Sequence, residues 1–501
     1  MRGLSLLDAT MIVIGSMIGS GIFLTSAESA KTIGSPGWLL AAWALAGVLT
    51  ITGALCCAEL AAMMPRAGGQ YVFLREAYSP VAGFLFGWSL LFVIQTGTIA
   101  AVAVAFARFL GVLAPAVSES NYIIAPIHLF ATPIGSYAIS LSTAQLVAIL
   151  LILLLTFTNT RGLKTGKLIQ NTFTFTKTAA LVGLILVGLV LGWNTGSAAH
   201  TSHWWNPWAN GWNPQTVAND FGPTGTTALV MLLGLAMVGP LFAQSAWNNV
   251  TFTGSEVRDP GRNLPRALLV GCLVVVGLYL LANLAYVVTL PLATIQKPQN
   301  SVATATMQAV LGRPGTTLMA VAIMISTFGC NNGLILAGSR VYYAMSRDRL
   351  FFSRLGTLNG QHVPATALIT QGVWASLLTL PRTETVDAAT GQVAYGNVYT
   401  QLLEYIVSAD LVFYGLMVGA VIVMRRKAPT IDRPYRTFGY PFVPLLYILI
   451  AALLVLDLAL LKRQTSGIGY LLVLTGLPIY LIWRRSAAPR SAFATETADA
   501  K

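Results

Sequence analysis

The chain has 501 residues, 55% of them hydrophobic and only 9% charged, with a mean hydropathy of +0.70. Soluble domains carry about 25% charged residues, so these proportions exclude a surface built mainly for water. The formal net charge of +13 raises a nucleic-acid reading, which the placement of the charges removes below.

Apolar runs long enough to span a bilayer, roughly 20 residues each, recur along almost the whole chain. They predict spans near 8–33, 37–64, 81–113, 142–160, 167–192, 226–253, 267–290, 315–344, 364–381, 398–424, 440–461 and 467–484. No room is left for a separate soluble domain, and the expected fold class is an all-α membrane protein of twelve transmembrane helices. The short polar tail after Trp483 reads as disordered. The first run carries Arg2 but no small-x-small cleavage site after a short apolar core, so it reads as a retained helix.

With the N-terminus placed in the cytoplasm, 23 of the 30 Lys and Arg residues fall on the inner side or inner half. Arg66, Arg75, Arg161, Lys164, Lys167, Arg258, Arg262, Arg266, Arg340, Arg347, Arg425, Arg426 and Lys427 are among them. The outer side takes the other seven, including Lys31, Lys297, Arg313 and Arg382. The positive-inside rule produces this asymmetry, so the charge is topology and both termini are expected in the cytoplasm. Cys56, Cys57, Cys272 and Cys330 all fall inside predicted spans, where they are expected to be small packing residues and not disulfide partners.

Two spans are interrupted. Span 1 holds Gly15-Ser16-Met17-Ile18-Gly19-Ser20-Gly21-Ile22-Phe23, and span 6 holds Gly234 and then Gly239-Pro240-Leu241-Phe242-Ala243-Gln244-Ser245-Ala246-Trp247. Glycine weakens a helix, and proline removes a donor and clashes with the preceding turn. Gly15 and Gly19 also have the spacing of a close helix-packing face. Matching interruptions five spans apart point instead to an inverted repeat of spans 1–5 (1–192) and 6–10 (226–424). Spans 11–12 (440–484) and the tail (485–501) would lie outside it.

A broken helix offers backbone amides at one half and carbonyls at the other near mid-bilayer. The amides of Ser20 and Gly21 would receive a carboxylate, and the carbonyls of Met17, Phe242 and Ser245 an ammonium. Small residues such as Gly19 and Ala243 let the backbone approach a ligand closely. That geometry suits a free amino acid without any charged side chain.

The stretches IGSMIGSGIF, PRAGGQYVFLREAYSP, FAQSAWNNVTFTGSEVRDPGRNLPRAL and NGLILAGSRVYYAMSRDRLF resemble the amino acid–polyamine–organocation superfamily, most closely its L-type amino acid transporter branch. The resemblance covers spans 1–10 and implies a five-plus-five inverted-repeat fold with substrate held at the unwound parts of spans 1 and 6. It places Gly19, Ser20 and Gly21 at the carboxylate site and Phe242 at an aromatic gate over the substrate.

Lys177 stands about ten residues into span 5, where an ionisable side chain is costly; a lysine snorkelling to the interface is the plainer alternative. The resemblance implies that its ammonium replaces a coupling sodium, bridging span 1 carbonyls to span 8, and it can equally serve as a proton-coupling group. Span 6 offers Gln244 and Ser245 but no carboxylate in its break, which favours a neutral substrate over a cationic one, with Gln244 able to bond a polar one. Asp410 in span 10 is the exception, either facing the pocket or relaying protons. Glu404, six residues earlier, does not share its face closely. Glu59 is expected to pair with a basic inner-loop residue, and Glu256-Val257-Arg258-Asp259 is either a gating ion pair or a solvated loop.

No phosphate loop, zinc-ligand helix or nucleophile–base arrangement is present, so no enzyme and no cofactor are expected. His200 and His203, with Trp204, Trp205, Trp208 and Trp212, read as an interfacial belt more than a metal site; His128 and His362 are isolated. The expected activity is sodium-independent transport of neutral L-amino acids by alternating access, through exchange or proton coupling, in a plasma or inner membrane. Transport of cationic amino acids, polyamines or other amines, and amino acid sensing without transport, are the rival readings. L-type members are often linked to a glycoprotein heavy chain through a cysteine between spans 3 and 4. Segment 114–141 has none, so no disulfide-linked heavy chain is expected.

Overall fold

The computed structural model describes residues 3–132, 135–161, 166–216, 224–298, 300–361, 363–386 and 393–484; the tail 485–501 and His362 lie outside them. Ten helices among the described residues are long and apolar enough to cross a membrane, and a bent pair makes an eleventh.

That pair is α1 (Leu6–Met17) and α2 (Gly21–Ile33), inclined by 42° across the break. Ser5 and Asp8 form a reciprocal cap on α1, and Asn171 Nδ2 donates to the other Asp8 oxygen at 3.1 Å. The break therefore follows a start that is locked in place. Next come α3 (Pro36–Met63), α4 (Gln70–Ala77) and α5, which runs from Pro80 to Leu113 through a π-helical stretch at Leu90–Ile94. Then follow α6 (Thr143–Thr160) and α7 (Gly166–Leu186).

Span 6 comprises α8 (Gly225–Ala236), the six-residue α9 (Val238–Ala243) and, after an unwound stretch, the four-residue α10 (Asn249–Phe252). Here the structure narrows the sequence reading. The chain remains helical through Gly239 and Pro240 and unwinds only from Gln244. Pro240 sits in the first turn of α9, where a missing amide costs little.

The remainder is α11 (Pro260–Thr289), α12 (Leu292–Gln296), α13 (Val302–Arg347), α14 (Ala365–Leu377), α15 (Val398–Lys427), α16 (Phe442–Leu461) and α17 (Arg463–Arg484). Gly312, at φ 66°, divides α13 into a short helix and the long eighth span. The ninth predicted span appears as the 13-residue α14, which then turns into a strand.

The expectation of an all-α chain is corrected. Strands β1 (Tyr122–Thr132), β2 (Gly135–Ser142), β3 (Pro381–Val386) and β4 (Val393–Tyr395) form an antiparallel sheet in chain order, over the face opposite the N-terminus. Backbone beyond the helix ends still needs hydrogen-bond partners. The connections after α5 and α14 are long enough to supply them to each other.

Candidate functional site

The span 1 break exposes carbonyls that its helices do not satisfy, and four of them receive a donor from another span. Lys177 of α7, 1% exposed, donates its ammonium to the Gly15 carbonyl. Cys330 Sγ of α13 lies 3.6 Å from Ser16 O, Tyr279 OH of α11 donates to Met17 O at 2.9 Å, and Ser326 Oγ donates to Gly19 O at 3.3 Å. Tyr286 OH reaches Ile22 O at 3.2 Å. An unpaired carbonyl in lipid costs several kcal/mol, so these contacts let the helix stay broken.

On the other half, α2 begins at Gly21, and the first amides of a helix have no partner within it. Ser20 Oγ lies 3.0 Å from Tyr399 OH of α15, and the Tyr399 ring meets Phe242 edge-on at 6.2 Å between centroids. Ser20, Tyr399 and Phe242 thus converge at the N-terminus of α2. Gly21 packs so tightly on α9 that a Cβ there would lie 2.5 Å from Ala243 Cβ; Gly19 faces Cys330, 3.0 Å from such a Cβ.

The span 6 carbonyls are less available. Phe242 O accepts from Ser245 N at 3.1 Å and from Ser245 Oγ at 2.8 Å, and Met17 O holds Tyr279. Each carbonyl keeps one further lone pair at most. Gln244 turns toward α3, donating from Nε2 to Trp43 O at 3.3 Å; its side chain faces that helix, a placement its position in the chain does not disclose.

The matching motifs extend along the whole chain. Residues 4–478 match the family described as amino acid permease. This chain belongs to that family. Over 485 residues, 96% of this chain and 81% of the other, the permease is 30% identical to large neutral amino acids transporter small subunit 2 of Mus musculus. It is 29% identical to b(0,+)-type amino acid transporter 1 of Homo sapiens over 486 residues, covering 96% and 88% of the two chains. With Asc-type amino acid transporter 1 of Mus musculus the figures are 28% over 499 residues, 96% and 82%. The permease is an integral, multi-pass membrane protein of the amino acid–polyamine–organocation superfamily.

Around the N-terminus of this permease polar contacts join several segments. Leu4 N donates to Glu256 O at 3.0 Å, Arg258 N donates to Leu4 O at 2.9 Å, and Arg340 Nε donates to Glu256 Oε1 at 2.9 Å. Arg75 pairs with Asp348 and Glu76, and Tyr71 OH donates to Asp348 at 2.9 Å. Burial first, then the Asp348 carboxylate, pushes the Tyr71 hydroxyl above its ordinary pKa and keeps it a donor. Glu59 is paired with Arg425, at 2.8 and 2.7 Å, and accepts from Thr437 N at 2.7 Å. On the opposite face Glu404 accepts from Lys462 at 3.0 Å and Thr465 Oγ1 at 2.6 Å.

The Trp-rich loop before span 6 packs onto the α2–α3 corner. Trp212 Nε1 donates to Thr32 O at 3.0 Å, and Gly34, at φ 65°, leaves the space that its ring fills. His200 contacts Ser197 and Trp193, and no group of metal-ligating side chains occurs among the described residues. The four cysteines are buried thiols.

Sequence reasoning missed Tyr279, Tyr399 and Ser326. A signal was present: a hydroxyl inside an apolar span needs a partner.

Proposed function

We propose that this permease carries neutral L-amino acids across a plasma or inner membrane by alternating access, independently of sodium, through exchange or proton-coupled movement. The observation that carries this reading is the span 1 break. Its carbonyl side is occupied by Lys177, Tyr279 and Ser326, while its amide side, at Ser20 and Gly21, faces Phe242 and Tyr399. A fixed ammonium at Gly15 stands where a bound cation would otherwise serve, which supports sodium independence. The free helix start is an anion site suited to the substrate carboxylate, with Gly19, Ser20 and Gly21 lining it. Met17, Phe242, Ala243, Gln244 and Ser245 complete the pocket wall, Gln244 through its backbone.

The same reading takes the chain as twelve spans with both termini cytoplasmic. Spans 1–5 (1–192) and 6–10 (226–424) form the two inverted repeats, and spans 11–12 (440–484) stand outside them. The short α14 fills the ninth place. The named relatives are transporters of large neutral amino acids and of the b(0,+) and Asc types, which supports an amino acid cargo and a transporter with no catalytic step. The absence of cysteine from 114–141 supports a chain that works without a disulfide-linked partner.

Purified protein in liposomes tests this. Labelled small neutral amino acids should enter, faster when unlabelled amino acid is inside, and equally with or without sodium. Uptake confined to arginine or amines would remove the neutral cargo; uptake only with sodium would remove the role given to Lys177.

A further inference from the structure

Behind the span 6 break lies a second cavity that the amino acid site does not use. Thr50 of α3, Gln244 and Trp247 of the break, Asp410 and Tyr414 of α15, and Tyr447 of α16 line it. It has room for about one water molecule, too little for an amino acid side chain. Two oxygen-bearing groups in it lack a donor. Gln244 is fully buried and its Oε1 has no hydrogen-bond partner. Asp410 is 8% exposed and makes no hydrogen bond or ion pair among the described residues.

The groups around it leave that need unmet. Tyr414 from its own helix and Tyr447 from α16 are the other titratable groups on the wall, and Cys57 of α3 acts on Tyr414. No lysine, arginine, histidine or second carboxylate lines the cavity. An ionised carboxylate without a counter-charge at membrane depth is costly, and a buried acceptor without a donor costs about as much as a lost hydrogen bond. A single proton on Asp410 removes both penalties. An alkali cation would need several oxygen ligands, and most of the remaining wall is apolar or aromatic.

We propose that Asp410 is a proton-binding site coupled to the span 6 break, its protonated carboxyl donating to Gln244 Oε1 across the cavity, directly or through one water. In the step itself hydronium gives its proton to a carboxylate oxygen, an O–H bond forms and water leaves; the reverse step returns the proton to water. The proton links Asp410 on α15 to the unwound segment that follows Phe242. Loading and release of substrate at the break then carry a proton with them. This rests on the transporter reading above and gives it a coupling site distinct from Lys177.

The test uses full-length protein in liposomes with a trapped pH dye, comparing wild type with Asp410→Asn, which keeps a donor but cannot ionise. Wild type is expected to shift internal pH during amino acid uptake and to change rate with external pH. Asp410→Asn should keep amino acid counterflow and lose the proton movement at least fivefold. Equal proton movement in both proteins, or wild-type counterflow with no proton movement at any pH, overturns the proposal. If wild type moves no amino acid, the transporter reading fails, and Trp247 fluorescence decides the site separately. Trp247 stacks on Tyr414 at 5.1 Å between ring centroids, so the wild-type minus Asp410→Asn fluorescence should titrate with pH; a flat difference overturns the assignment. Should Asp410→Asn fail to fold, Gln244→Leu, which removes the acceptor together with the Nε2 bond to Trp43 O, must move the midpoint of that titration, and an unmoved midpoint overturns it.

Discussion

The two interruptions are built on opposite terms. At the span 1 break four carbonyls draw donors from three other spans, so the bent backbone is held from α7, α11 and α13 at once. At the span 6 break Ser245 folds back on Phe242, while Gln244 leaves an oxygen unpaired. The first is a fixed seat supported from outside. The second is a short unwinding whose own side chains reach outward, Gln244 to Trp43 O and Asn248 to Gln70 Oε1 at 2.7 Å, with Tyr414 OH donating to Asn248 Oδ1 at 3.3 Å.

Lys177→Ala cuts deepest into that contrast. It strands the Gly15 carbonyl and empties a buried site, and losing a charged donor costs about 1.5–3 kcal/mol. Substrate affinity should fall about 10–100-fold in an equilibrium binding measurement, and wild-type uptake by this mutant would sink the role given to the ammonium. Gly21→Ala comes next. Its Cβ would crowd Ala243, and overpacking of this kind costs about 1–3 kcal/mol, so transport should drop about tenfold. A wild-type rate would mean that α2 and α9 have room to part.

Tyr279→Phe removes one neutral donor, worth about 1 kcal/mol, and should weaken binding about fivefold; no change would show that Met17 O is satisfied by water. Gln244→Leu tests the other break. It exchanges an unpaired oxygen and one 3.3 Å bond for an apolar side chain, which is close to neutral. Thermal unfolding should change by less than about 1 kcal/mol, and a large loss would show that span 6 depends on that side chain as span 1 depends on Lys177.

The spans were legible because lipid imposes one rule on every helix, a run of apolar residues of fixed length. The three glycines at 15, 19 and 21 disclosed the first break, and the depth of Lys177 marked it for attention. The partners of that break were hidden for a physical reason. Tyr279, Ser326 and Tyr399 contact residues 262, 307 and 379 positions away, and a period in the sequence reports the face of a helix but not what lies opposite it. The second break falls in the later part of the stretch 239–247 that its sequence marked, because Pro240, at a helix start, is harmless. The β1–β2 and β3–β4 pairings are local and went unread between the apolar runs, while β2 pairs with β3 across more than 200 residues, which no short hairpin turn announces.

That sheet has a mechanical meaning. Ser136–Ile139 pairs with Pro381–Glu384, so the segment entering α6 and the segment leaving α14 are riveted to one plate. Tyr137 OH also donates to Gln464 O at 2.7 Å, and Gln464 Nε2 to Ser136 O at 3.1 Å, fastening the start of α17 to it. Three parts of the bundle therefore share one rim on this side. A displacement of any one is handed to the others, and distances measured between them form a stationary ruler against which the travel of α2 and α9 can be read.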